Sequence, residues 1–177
     1  SRIAARMTGL GGFPSVCAAL PNIPFAAQSF AAITMLHILE HVTDPAACLS
    51  AARQLLQPGG RLFVQVPNAA SWQFLLFGQR WSALDIPRHL VHFSANDLKG
   101  LLETCGFRVV RWKFFFWRDN PTSFATSLFA AWEPTVRFTR GTNESMVYSV
   151  FKSILYFGVT ILSLPFALWE AAAKAGS

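Results

Sequence analysis

The chain has 177 residues, of which 53% are hydrophobic, 14% aromatic and 14% charged, with a formal net charge of +6 and an isoelectric point near 9.8. That length serves one core of ordinary size, and the apolar content asks for more burial than the length supplies. The sequence has no internal repeat or low-complexity tract, which excludes a solenoid or a linker, while the basic charge favours anionic surroundings: phospholipid headgroups, nucleic acid or an acidic substrate.

In chain order, residues 1–12 read as a helix end and loop, and Phe13 to Ala18 as a short strand. The apolar run Ala31 to Met35 is a second strand, ending abruptly in Leu36-His37-Ile38-Leu39-Glu40-His41. Titratable groups at a strand's carboxyl end stand where open α/β sheets hold their ligands. Ala46 to Leu56 has helical spacing, Gln57-Pro58-Gly59-Gly60 is a turn signal, and Arg61 to Val66 is another apolar strand. Residues 69–93 form an aromatic insertion of the length that lids and binding segments have. Ser94 caps a helix over Ala95 to Thr104 that closes at Gly106, and Phe107 to Phe116 has strand character with a basic face of Arg108, Arg111 and Lys113. Beyond Asn120-Pro121 the composition shifts: Thr122 to Trp132 reads as a short apolar helix, 137–143 as a polar break, and Val147 to Trp169 as an apolar stretch interrupted by Lys152 and Pro165. The cysteines, Cys17, Cys48 and Cys105, are odd in number and lack disulfide or metal-ligand spacing, so they read as reduced core residues in a cytoplasmic protein.

Taken together, the segments LPNIPFAAQSFAAITMLHILEHVTDP, LLQPGGRLFVQVPN and FGQRWSALDIPRHLVHFS resemble class I S-adenosylmethionine-dependent methyltransferases, most closely a branch with an HxxEH strand end and a PRHLxHF segment. The resemblance covers roughly residues 14–116 and implies an α/β fold: a partial Rossmann-like methyltransferase sheet over residues 1–120, with 69–93 as its lid, followed by an apolar helical tail over 121–177. It also implies a longer protein. The family's Gly-rich cofactor turn and last strand have no counterpart here, since Gly9-Leu10-Gly11-Gly12 follows a polar, basic stretch that does not make a buried parallel strand. Ser1 is therefore expected to be an internal position, and the chain alone is expected not to be competent.

Methyl transfer from a sulfonium asks the protein to align the nucleophile and, for a hydroxyl, to take its proton. His37 suits that role, or else packs against the cofactor. Glu40 and His41 follow as its orienting partners, with His89 and His92 contributed by the lid. Some relatives bind a divalent metal through an ExxEH block; Glu40 and His41 match it, His37 replaces its first carboxylate, and His92-Phe93 resembles the pair that completes the site in RNA enzymes. No metal is expected; the reading preferred to metal ligation is that His41 or His92 hydrogen-bonds to backbone and holds the lid closed. By resemblance the cofactor S-adenosylmethionine meets Leu20, Phe25, Leu36 and His37, although Ala19 and Ala31 stand where the family carries acidic residues.

The expected acceptor is a small or lipid-linked molecule methylated on oxygen. Nucleic acid is not expected, because no aromatic RNA-recognition signature is present. For residues 147–169 three readings compete: spanning a membrane, lying in its interface with Tyr156 and Trp169 at headgroup level, or packing on the catalytic domain. Interfacial or hairpin-like association at the cytoplasmic inner face is expected first; their uncharged part, Ser153 to Trp169, is at the short limit for a span. A non-catalytic, membrane-associated methyltransferase-like protein is the alternative.

Overall fold

The structure, a computed structural model, describes residues 11–12, 14–18, 23–117, 119–130 and 146–173. Its centre is a parallel strand pair, β1 (Phe30–Leu36) and β2 (Leu56–Gln65), joined by helix α1 (Pro45–Leu55). Parallel neighbours need a crossover of this kind. Asp44 starts α1 by accepting the backbone N–H of Ala47 at 2.9 Å, and Pro45 occupies the first turn, where its missing N–H costs nothing. The inner face of α1, with Cys48, Leu49 and Ala52, packs with Met35, Leu39, Phe93, Leu98 and Leu102 into one apolar core.

β2 begins earlier than the sequence suggests, because the strand incorporates the Pro-Gly-Gly turn as an irregularity. Phe30 pairs with Leu56 but Ala32 pairs with Arg61, so residues 57–60 loop out of the ladder. Gly59 takes a left-handed φ of 78°, and a Cβ on Gly60 would stand 2.9 Å from the Gln57 carbonyl oxygen.

After β2 come α2 (Trp72–Phe77), two short 3-10 turns and α3 (Ala95–Thr104), the last closed by a reciprocal capping box between Ser94 and Asp97. The 69–93 insertion is anchored rather than free: Trp81 and Phe93 are buried, and the Ala69 N–H donates to Phe93 O at 2.8 Å. Among the described residues three further helices follow: α4 (Asp119–Leu128), α5 (Met146–Leu162) and α6 (Leu164–Ala172). Together they give an α/β domain with an apolar helical C-terminal part.

Three expectations need correction. Pro14 to Ala18 is exposed and forms no strand, with Phe13 outside the described residues, because nothing among the described residues pairs with it. Cys17, expected in the core, is consequently exposed, whereas Cys48 is buried and Cys105 half-buried; all three are free thiols. Residues 107–110 keep the period-2 alternation of a strand, with Phe107 and Val109 against the core and Arg108 and Val110 outward, but the alternation ends there and 107–116 join no ladder. The pattern was that of a strand; the partner is missing among the described residues.

Candidate active site

The carboxyl end of β1 runs straight into a strained residue. His37 has φ 53°, a conformation uncommon for a residue with a side chain, and its N–H donates to Gln65 O at 2.9 Å on the neighbouring strand end. The chain then forms the short turn Leu39–His41, whose Glu40 is 1% exposed. This turn brings Glu40 back under the imidazole: His37 Nδ1 lies 3.1 Å from Glu40 Oε1.

The other ring nitrogen is also held. Gln65, the last residue of β2, donates its amide to His37 Nε2 at 3.0 Å and to Asp119 Oδ2 at 2.5 Å, and Asp119 Oδ2 is itself 3.5 Å from His37 Nε2. The Gln65 amide, a donor, favours the tautomer with the proton on Nδ1 toward Glu40 and a lone pair on Nε2, whereas the Asp119 carboxylate favours a proton on Nε2 as well. The hydrogen bond to Glu40 is the main reason that the His37 pKa lies above its ordinary 6.5; burial opposes it, and the Glu40 and Asp119 charges add to it.

The insertion closes over the same turn. The N–H groups of Leu90 and Val91 donate to the Glu40 carbonyl at 2.7 and 3.2 Å, and His41 Nδ1 donates to Arg88 O at 2.9 Å. His89 Nδ1 donates to Ala83 O at 2.7 Å and His92 Nε2 to Leu84 O at 2.9 Å. His41 and His89 meet edge to face with ring centroids 4.7 Å apart, and His92 stands one ring further out, 6.1 Å from His89.

One donor set remains. Glu40 Oε2 is buried without a hydrogen-bond partner, and donor atoms of Glu40, His41 and His89 lie within 4.8 Å of one another. With both Nδ1 atoms committed to carbonyls, the imidazoles present Nε2, and one carboxylate with two imidazoles is a set suited to zinc rather than magnesium. His89, not His92, completes this set; His92 is turned to Leu84.

Sequence reasoning missed Gln65 and Asp119. Gln65 was recoverable in principle, because parallel strands end side by side and Leu36 pairs with Gln65. Asp119 came from the start of α4, beyond any local signal. Of the residues matched to the cofactor, Leu36 is exposed at the strand end beside His37, Phe25 is exposed against Phe30, and Leu20 lies outside the described residues. Phe25 also lines an apolar cavity of about 270 Å³ with Phe30, Ile33, Met35, Ala52 and Leu55.

These residues fit part of S-adenosylmethionine. Exposed Leu36 offers an apolar face beside His37, and the Glu40 and Asp119 carboxylates make a favourable field for a sulfonium cation, whereas Phe25 packs on Phe30 at the opposite end of β1 and is not brought to the same place. The cavity wall itself has no polar side chain for ribose hydroxyls among the residues that line it.

A parallel strand pair with a crossover helix, carrying titratable groups at its carboxyl end, defines a Rossmann-like α/β domain. Residues 9–111, more than half of the chain, match the methyltransferase domain family, and the chain belongs to that family, within the class I S-adenosylmethionine-dependent group. The chain is similar to ubiquinone biosynthesis O-methyltransferase of Xanthomonas oryzae pv. oryzae (strain PXO99A), 39% identical over 68 residues, which is 37% of this chain and 28% of that protein. It is also similar to the enzyme of the same name from Xylella fastidiosa (strain M23), 51% identical over 47 residues, 27% of this chain and 19% of that protein. The aligned chain thus spans less than a third of these curated relatives' length. A solved structure of a SAM-dependent methyltransferase from Thermotoga maritima, described as a possible histamine N-methyltransferase, shares the fold with a TM-score of 0.55 at 23% identity, over 62% of this chain and 53% of that one.

Proposed function

We infer that the protein, at its full natural length, transfers a methyl group from S-adenosylmethionine to an oxygen of a small or lipid-linked acceptor, with His37 as the base. The observation that carries this reading is the fixed imidazole at the β1 end, with Nδ1 on buried Glu40 and Nε2 against the Gln65 amide and Asp119. The relatives' printed name, an O-methyltransferase of ubiquinone biosynthesis, supports oxygen as the nucleophile and a lipid-linked acceptor.

The bound cofactor would supply an electrophilic methyl group on a sulfonium. Leu36 and His37 at the carboxyl end of β1 would face it. Nε2 of His37 takes the hydroxyl proton, Glu40 stabilises the imidazolium that forms, and the Gln65 amide and Asp119 yield Nε2 to the acceptor. His41 is a positioning residue that holds the insertion over the site through Arg88 O, and His89 and His92 brace the insertion internally through Ala83 O and Leu84 O. No step requires a metal. Residues 1–120 form the methyltransferase part and 121–177 the apolar tail, and the protein works in the cytoplasm at the inner face of a membrane.

Labelled S-adenosylmethionine and a phenolic acceptor, with the full-length protein, test this. His37→Ala should lower turnover by about 100-fold or more while cofactor binding by calorimetry persists. Unchanged turnover would remove His37 from its role. A second reading, a non-catalytic membrane-associated protein, is favoured by Ala19 and Ala31 in place of the family's acidic residues; absence of cofactor binding by the full-length protein would establish it instead.

A further inference from the structure

Helix α5 is inside out for a helix at an aqueous surface, where the apolar stripe turns to the core. Ser149, Ser153, Tyr156, Thr160 and Ser163 recur every four and three residues, and the stripe continues into α6 through Ala167 and Glu170. All these positions are buried or half-buried. The Tyr156 hydroxyl is 2.8 Å from Oγ1 of Thr126 and donates to Thr122 O at 3.3 Å; the Ser163 hydroxyl reaches Pro121 O at 3.3 Å; and Glu170 accepts the backbone N–H of Gln73 at 3.0 Å. These partners lie on α4 and α2.

The opposite face is apolar and exposed. It carries Val147, Phe151, Ile154, Phe157, Ile161 and Leu168, with Val147 82% and Ile154 64% exposed. Leu75 and Leu76 of α2 are exposed too, and α2 meets α6 where Trp72 and Trp169 approach with ring centroids 4.1 Å apart. Hydrogen-bonded small polar residues between helices, with large apolar residues outside, is the arrangement that hydrocarbon rather than water stabilises. Charge is complementary to anionic headgroups. The charged side chains of α5 and α6 are Lys152 and the buried Glu170, so no carboxylate faces outward from them, and exposed Arg80 follows α2 in a chain of net charge +6. The Lys152 ammonium lies 4.5 Å over the Tyr148 ring, a pair suited to the headgroup level.

We propose that the outer side of α5 and α6, with Leu75 and Leu76, is a lipid-docking surface that lies in the headgroup–acyl boundary of one leaflet of an anionic phospholipid bilayer without crossing it. The run Met146–Ala172, 27 residues, is long and apolar enough to cross. Crossing, however, would strip the inner hydroxyls and the Glu170 carboxylate from α4 and α2 and leave them in hydrocarbon. Lying flat keeps every one of those bonds and still immerses the outer face.

The test is co-sedimentation of the 177-residue chain with vesicles of phosphatidylcholine alone and of phosphatidylcholine with phosphatidylglycerol. The chain should sediment with the anionic vesicles and more weakly with the neutral ones. The double substitution Ile154→Glu with Phe157→Glu should weaken binding about tenfold or more while circular dichroism is unchanged. Leu75→Glu with Leu76→Glu, on a different helix, should act in the same direction, so the surface stays testable if either variant fails to fold. Wild-type chain left in the supernatant with both vesicles, including as a self-associated dimer, would overturn the proposal, as would undiminished binding by foldable variants. A helical fragment protected from external protease would overturn the flat arrangement. Vesicle binding is read without any methyl transfer, so either reading can fail alone.

Discussion

His37 combines a left-handed backbone with three side-chain neighbours, Glu40, Gln65 and Asp119, and the strain is held by the strand end on one side and the Leu39–His41 turn on the other. Its histidine, glutamate, histidine surroundings were legible because His37, Glu40 and His41 are neighbours in sequence. Gln65, 28 residues away, was reachable only through the pairing of the two strand ends, and Asp119, 82 residues away, is marked by nothing local. A second residue acts at the same scale. Burial pushes the Glu170 carboxyl above its ordinary 4.5, against hydrogen bonds from Gln73 and the Trp72 backbone. An acid whose folded pKa is raised contributes most below its unfolded pKa, and that contribution is lost as pH rises through the folded pKa. Glu170→Gln removes the titration, so the melting temperature of the variant minus that of the wild type should become more positive from pH 4 to pH 7. A difference that stays flat across that range would contradict the assignment.

Among the elements, β1, α1, β2 and α3 could be read from apolar periodicity and caps, because each signal lies within its own segment. The failures at Pro14 to Ala18 and Phe107 to Phe116 share one cause: a strand is defined by its neighbour, and period-2 alternation says nothing about whether one is present. The Pro-Gly-Gly segment failed differently. It was expected to precede the strand, yet it forms the looped-out irregularity within β2. Gly60→Ala should therefore push a Cβ against the Gln57 and Ala31 carbonyls and destabilise the fold by about 1–3 kcal/mol, read from urea unfolding. Stability equal to wild type would mean that residues 57–60 relax without disturbing the ladder.

For the whole molecule, hydropathy located the tail but not its orientation, which depends on which stripe finds hydrogen-bond partners on α4 and α2. Tyr156→Phe, which removes the hydroxyl shared with Thr126 and Thr122, should cost about 1 kcal/mol if α5 is held on α4 as described. No change in unfolding would mean that the tail is not held there. Helix α4 lies between the insertion and the site: Ser123 O accepts from the Ser82 hydroxyl, and Asp119 accepts from the Gln65 amide at the end of β2.

The central claim is that the imidazole of His37, held by Glu40, takes the acceptor's proton. Initial rates of methyl transfer by the full-length protein against pH, for the wild type, Glu40→Gln and His37→Ala, test it most directly. Since only the neutral ring accepts a proton, the wild-type rate should rise with pH through a pKa above the ordinary 6.5. That limb should move to lower pH in Glu40→Gln and disappear with most of the activity in His37→Ala. A His37→Ala enzyme with the wild-type rate and the same acidic limb would contradict the account.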